Sequence, residues 1–214
     1  MNAPSRKLPG RPPTNPDQTV RQQLLAAARG LFAQQGYDGV SIRQVAETAA
    51  VNPAMIHYYF GSKQGLYEAM LTDTFTPLIE RLSAVLSAST DDADALHNFF
   101  SLYMHTLGAN PWMPPLILRE VVAEGGRLRG WFIQQFAAKG GGLLTRLIER
   151  EQAAGRIRAD ADPSLTALSM VSLAVFPFVA MPVTREVFGM RVKTDYLDRL
   201  VEHTRRVFLE GVAP

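Results

Sequence analysis

Apolar residues recur at helical spacing from the first third of the chain to its end. Val20, Leu24, Ala28, Leu31 and Phe32 form one stripe, which stops at Gly36. Asn15 is placed to cap this helix, Pro16 suits its first position, and Gln18 completes a capping box. Ser41, with Gln44 three residues on, predicts a second helix over about 42–48 whose Val45, Ala46 and Ala49 face inward. Asn52-Pro53 repeats the cap-then-proline start for a short third helix, and Ser62 opens a fourth that carries Leu66, Met70 and Leu71 and is expected to bend near Pro77. Beyond residue 80 the spacing predicts helices over roughly 92–107, 113–124, 127–154, 163–181 and 193–210, separated by Gly, Pro or Asp. No alternating strand pattern and no internal repeat interrupts the series. The expected class is all-α, about nine helices in two parts joined through the fourth.

Composition narrows the picture. The chain has 214 residues, 47% of them hydrophobic, enough for a substantial core. It has no cysteine, which excludes disulfides, zinc–thiolate sites and a thiol nucleophile and suits a reducing cytoplasm. No apolar run follows the basic residues of the N-terminus, so a secretory signal is not expected. Residues 1–63 hold seven Lys/Arg (Arg6, Lys7, Arg11, Arg21, Arg29, Arg43 and Lys63) against Asp17, Asp38 and Glu47, and the rest of the chain is slightly acidic. That excess favours an anionic partner for the first third, with ordinary scatter of charge as the alternative. Residues 1–15, with four prolines, three basic residues and no acid, predict a disordered arm. Its Gly10-Arg11-Pro12 resembles a minor-groove AT-hook, with a plain solvated tail as the other reading.

Residues 41–60 have the layout of a helix-turn-helix: a helix, a tight turn at Ala49–Asn52, and a short second helix. Val51, Ile56 and Phe60 share an inward side, while Pro53, Ala54, His57 and Tyr58 fall elsewhere and can face out. Asn52 and Pro53 are expected to leave open N–H groups near a helix N-terminus, where phosphate is welcome. A core cluster is the competing reading of the aromatic run Tyr58-Tyr59-Phe60.

The stretch SIRQVAETAAVNPAMIHYYFGSKQGLYEAM over residues 41–70 resembles the TetR family of transcriptional repressors, as do Gly36-Tyr37 and Val40-Ser41 before it. The similarity is strong over about residues 17–72, and Gly155-Arg156-Ile157-Arg158-Ala159-Asp160-Ala161-Asp162-Pro163 looks like the family's entry to its dimerisation helices. The resemblance implies a disordered arm at 1–15, a DNA-binding head at 16–62 and a ligand-binding and dimerisation domain at 63–214. It implies that Arg43 faces DNA, that Asn52, Pro53, Ala54, Met55, His57 and Tyr58 line the recognition helix, and that Tyr59 and Lys63 meet backbone phosphates. Hydroxyl, imidazole and ammonium donors suit phosphate oxygens, and Ala54 and Met55 suit thymine methyls. No Arg, Gln or Asn stands inside the helix for a bidentate base contact, so Arg43, methyl contacts and DNA shape are left to carry specificity. Ala50 stands where the family's turn usually has glycine, and His57 replaces a more common tyrosine.

A DNA reader of this size is expected to be a homodimer on palindromic double-stranded DNA. The candidate interface packs Pro163–Thr184, whose stretch from Ser164 onward is uncharged, with Lys193–Gly211, through Leu168, Val171, Val175, Leu197, Leu200, Val201 and Phe208. A membrane span is the rival for the uncharged run, opposed by Pro177, Pro182 and the lack of flanking aromatic anchors, so no membrane partner is expected. Aromatic and Met residues of the middle helices suggest a pocket for a lipophilic small-molecule effector: Phe75, Phe99, Tyr103, Met104, Trp112, Met113 and Trp131, with the polar Gln135. Ordinary core is the alternative for each. His105, Arg119 and Glu120 are further polar candidates for orienting a ligand, or surface residues.

No enzyme chemistry, cofactor or metal is expected. His57, His97, His105 and His203 are scattered, and no His-Glu-x-x-His or Gly-x-Ser-x-Gly is present. Lys139-Gly140-Gly141-Gly142 lacks the Gly-Lys-Ser/Thr of a phosphate loop and reads as a weak spot or close approach in a long helix. A helical adaptor that binds protein instead of DNA is the alternative function.

Overall fold

The computed structural model describes residues 16–87 and 94–213. All regular structure among the described residues is helical, in two compact units that meet in sequence between Met70 and Leu71. The predicted arm, its Gly-Arg-Pro core and the Asn15 cap lie outside the described residues.

The first unit holds α1 (Pro16–Gln35), α2 (Ile42–Thr48), α3 (Ala54–Phe60) and the opening turns of α4 (Lys63–Ser87). Leu24, Ala28 and Phe32 of α1, Val45 and Ala46 of α2, Ile56 of α3, and Leu66 and Tyr67 of α4 are shut off from solvent. Each large apolar side chain among them contributes about 1.5–3 kcal/mol by its burial. Tyr67 meets Phe32 edge-on with ring centroids 4.6 Å apart and lies 5.1 Å from Tyr37, an aromatic knot that ties the end of α1 and the loop after it to α4.

Local chemistry sets the joints. Ser41 and Gln44 form the expected capping box: Ser41 Oγ accepts the Gln44 N–H at 3.1 Å, and Gln44 Oε1 accepts the Ser41 N–H at 2.7 Å. At the other end of α2, the Val51 N–H reaches the Ala46 carbonyl at 3.0 Å and the Ala50 N–H reaches Glu47 at 3.1 Å. That is a Schellman stop, and it forces Ala50 to φ 54°, left-handed backbone that glycine occupies without strain. Gly61 ends α3 at φ 72°, and Ser62 Oγ caps α4 by accepting the Gly65 N–H at 3.0 Å.

The second unit runs from the rest of α4 through α5 (Ala95–Ala109), α6 (Met113–Ile117), α7 (Arg129–Phe132), α8 (Ala138–Ala153), α9 (Pro163–Val179), α10 (Met181–Val187) and α11 (Thr194–Val212). α6 continues into a π-turn at Leu118–Val122, and a second π-turn at Ile133–Ala137 makes α7 and α8 one continuous coil. α5 packs on α11 and α9, and α8 lies along α9. α4 runs unbroken through the exposed Pro77. The uncharged run expected as one helix over 163–181 instead stops at Val179 and bends by 72° into α10. No single helix among the described residues is long and apolar enough to cross a membrane.

The turn after α8 is pinned by a buried ion pair. Glu151, 1% exposed, accepts two bonds from Arg156, Nε at 2.6 Å and Nη2 at 3.0 Å, while its carbonyl accepts the Arg156 and Ile157 amides. Gly155, at φ 71°, lets the chain reverse there.

Three of the residues expected at a subunit interface are placed elsewhere. Leu197, Val201 and Phe208 are buried within the chain. Leu197 packs against Gly108 of α5, and the Phe208 ring lies 5.6 Å from that of Phe100. The amphipathic stripe of α11 is thus consumed by α5. Leu168 is exposed, and Val171, Val175 and Leu200 are half-buried.

Candidate functional site

Two features carry candidate chemistry: the surface of α3 and a cavity in the second unit. Each follows from how its elements are held.

α3 stands on Ile56, which points into the core, with Val51 and Phe60 half-buried beside it. Asn52 starts the helix. Its Oδ1 accepts the Ala54 N–H at 2.8 Å, its carbonyl accepts the Met55 N–H at 2.9 Å, and the Pro53 carbonyl accepts that of Ile56. Pro53 has no N–H to give. The amides expected to stay open for phosphate at this end are therefore already engaged, and an anion there must use side chains. His57 is exposed but tied to its own turn, Nδ1 donating to the Gly61 carbonyl at 3.1 Å, which leaves Nε2 for an outside partner.

The residues that the sequence assigns to this surface come together around that helix. Asn52, Pro53, Ala54, His57 and Tyr58 are exposed, Tyr58 at 71%. Met55, Tyr59 and Lys63 are half-buried. Tyr58 and Tyr59 pack edge to face at 4.9 Å, and Lys63 Nζ lies 4.3 Å from the Tyr37 ring centroid. Arg43, exposed on α2, donates Nε to Glu47 at 2.8 Å. The set offers phenol, amide, imidazole, ammonium and guanidinium groups beside small apolar ones, a mixture suited to sugar–phosphate and thymine methyl contacts.

The second unit encloses a cavity of about 610 Å³ between α4, α5, α6, α8 and α9. Phe75, Leu78, Ile79 and Leu82 of α4 make one wall at spacing i, i+3, i+4 and i+7. Ala167, Leu168, Val171, Val175 and Val179 of α9 make another. Both π-turns contribute, through Leu118 and Val122 in one and Phe136 and Ala137 in the other. Among the described residues no Asp, Glu, His, Lys or Arg lines the cavity, and the polar side chains that do are Tyr103, Thr145 and Ser164. Burial raises the Tyr103 phenol above its ordinary pKa, so it stays a neutral hydroxyl.

Of the eight side chains expected in a pocket, Phe75, Tyr103 and Met113 line this one. Phe99 and Met104 are buried outside its lining, as packing residues of α5. Trp112 is turned to Asn110, whose Oδ1 accepts its indole N–H at 3.2 Å. Trp131 stacks edge-on against Phe136, 5.5 Å away, and Gln135 is exposed. His105 pairs with Asp198 at 3.0 Å and Arg119 with Glu120 at 2.9 Å, both away from the lining. The aliphatic walls of α4 and α9 and the glycines of α8 had no aromatic signal to mark them. Among the described residues no group of three His, Asp or Glu side chains is placed to hold a metal ion.

A helix-turn-helix head followed by a helical unit around an apolar cavity defines a class of DNA-binding transcriptional regulator, and comparison with known proteins narrows it. The model of bacterial regulatory proteins of the tetR family matches residues 24–70, and that of the Tetracyclin repressor-like C-terminal domain matches residues 93–209. The chain belongs to the TetR family of transcriptional regulators. It is 26% identical over 205 residues to the HTH-type transcriptional regulator RutR of Escherichia coli, covering 91% of each chain. It is 26% identical over 158 residues to the HTH-type transcriptional repressor NicS of Pseudomonas putida, covering 73% of this chain and 74% of NicS. The crystal structure of the regulator FadR from Bacillus subtilis in complex with stearoyl-CoA superposes with a TM-score of 0.71 at 15% identity, over 89% of this chain and 98% of that one.

Proposed function

We propose that the chain is a homodimeric repressor that holds a palindromic operator through α3 and releases it when an uncharged, lipophilic small molecule enters the cavity. The observation that carries the effector reading is the cavity itself: about 610 Å³, mostly aliphatic and aromatic, with no charged side chain among the described residues that line it. The NicS likeness supports repression, and the FadR complex with stearoyl-CoA, whose acyl chain is apolar though its coenzyme A part is charged, supports an effector with an apolar body.

In this reading residues 16–62 form the DNA-binding head, preceded by an arm at 1–15, and residues 63–214 carry effector binding and dimerisation. Asn52, Pro53, Ala54, Met55, His57 and Tyr58 meet the major groove, Arg43 supports them, and Tyr59 and Lys63 hold phosphates. The partner subunit covers the outward faces of α9 and α11, where Leu165, Leu173, Phe176 and Val207 are exposed. α4 supplies Leu66, Tyr67 and Met70 to the core of the first unit and Phe75, Leu78, Ile79 and Leu82 to the cavity wall. A molecule that binds one position of α4 better than another biases the operator-binding state by that difference in affinity. The protein acts in the cytoplasm, where the DNA is.

The test is fluorescence anisotropy with duplexes from the DNA upstream of its own gene, repeated with a panel of neutral lipophilic compounds. Salt-dependent binding to one duplex, reversed by a compound that also raises Tm, supports the reading. Failure to bind any duplex, with or without compounds, overturns it in favour of a protein-binding role.

A further inference from the structure

The glycine run Gly140-Gly141-Gly142 sits inside α8, where glycine weakens a helix relative to alanine. The three positions differ in their surroundings. Gly140 is buried against α4, and a β-carbon there would stand 3.3 Å from Ile79 Cδ1, so close helix packing accounts for it. Gly141 has helical backbone and nothing within 4 Å of where its β-carbon would lie, so neither conformation nor packing requires glycine. Gly142 has only the end of Arg146, at 3.6 Å, and does not line the cavity.

Gly141 does line it, on the same stripe of the helix as Ala137 and Leu144. It is also exposed, as are Ala137, Leu118, Val122, Ser164 and Leu168, all of them lining residues. These residues mark where the cavity opens. α8 therefore presents bare backbone at the opening, and the missing side chain is part of the space.

We propose that Gly141 is a size-selecting residue for the effector: an uncharged apolar molecule lies against the side-chain-free backbone of α8 there, and any larger residue narrows its seat. This rests on the reading of the cavity as the effector site, and deepens it by naming what admits the molecule.

The experiment uses the full chain and the neutral fluorescent probe N-phenyl-1-naphthylamine, titrated into wild type, Gly141→Leu and Gly142→Leu. The two substitutions replace adjacent glycines of one helix and differ in facing the cavity. The expected result is a probe Kd raised about ten-fold or more by Gly141→Leu and held within about two-fold by Gly142→Leu, with cooperative thermal unfolding of both. Equal probe affinity in wild type and Gly141→Leu overturns the inference while leaving the cavity reading intact. No probe binding by wild type overturns both. Gly141→Ala, which favours the helix, is the second variant should Gly141→Leu not fold: a raised Tm with weaker binding of the bulkier neutral dye Nile red supports the inference, and a raised Tm with unchanged Nile red affinity overturns it.

Discussion

Lys63 Nζ stands over the ring of Tyr37, 4.3 Å from its centroid. The ammonium is half-buried at the start of α4, three residues after the end of α3, and the ring limits where it can go. A cation held this way carries less ordering cost into a phosphate contact than one on a mobile stem. Lys63→Gln is expected to weaken binding about equally on all duplexes and to reduce the slope of log K against log salt by about 1.8, about 0.9 for each protomer of the dimer. Anisotropy titrations between low and moderate salt measure it. An unchanged slope would remove Lys63 from the phosphate contacts.

Ala50 holds left-handed backbone at φ 54° in the stop of α2. An L-residue is strained there by about 1–2 kcal/mol, and glycine returns part of that gain through its freer unfolded chain. Ala50→Gly is expected to stabilise the protein by about 0.5–1 kcal/mol, read as a higher urea midpoint at constant m. A lower midpoint would show that the turn tolerates alanine without strain.

Gly65 faces the Phe60 carbonyl so closely that a β-carbon would overlap the oxygen. The atom in the way is backbone, so no side chain can swing aside. Gly65→Ala is expected to cost about 1–3 kcal/mol and to shift α3 against α4, with loss of DNA binding. Circular dichroism melts and anisotropy on the same samples check both effects; full DNA affinity in the variant would refute the tight joint.

Glu151 is buried with a bidentate Arg156 partner that is itself only partly exposed. Glu151→Ala leaves a guanidinium without its carboxylate and is expected to cost about 3 kcal/mol. Chemical unfolding of the variant, with Arg156→Leu and the double variant completing a cycle, gives the coupling. A coupling near zero would mean that Arg156 does not hold the turn, leaving it to Gly155, the backbone and the second partner of Glu151, Arg150, whose Nε lies 3.5 Å from its carboxylate.

Helix starts were legible because they are local chemistry. Ser41 with Gln44, Asn52 with Pro53, and Ser62 each announce a cap within four residues. The left-handed turn at Ala50 was legible only through the family resemblance, whose turn usually has glycine there. What lies across from a helix was not. The stripe of Leu197, Val201 and Phe208 says that one face of α11 is apolar, but α5 rather than a second subunit covers it. Aromatic and Met content likewise pointed to Phe99 and Met104, which serve as core, and passed over Leu78, Ile79 and Leu82, which wall the cavity. Tyr67 drew no attention as one more aromatic at a helix start, yet it is fully buried against Phe32 and Tyr37.

The π-turn at Ile133–Ala137 lies within an otherwise α-helical run from α7 to α8. Such a turn accommodates one surplus residue without redirecting the helix that follows. Removing a residue there converts the bulge to ordinary α-helix and leaves Gly140 and Leu144 facing as they do now. The same deletion a turn later, inside α8, rotates every following residue by about 100° and turns the wall away. The chain thus has a built-in place to shorten, where a one-residue deletion alters the rim of the cavity and spares the aim of the helix behind it.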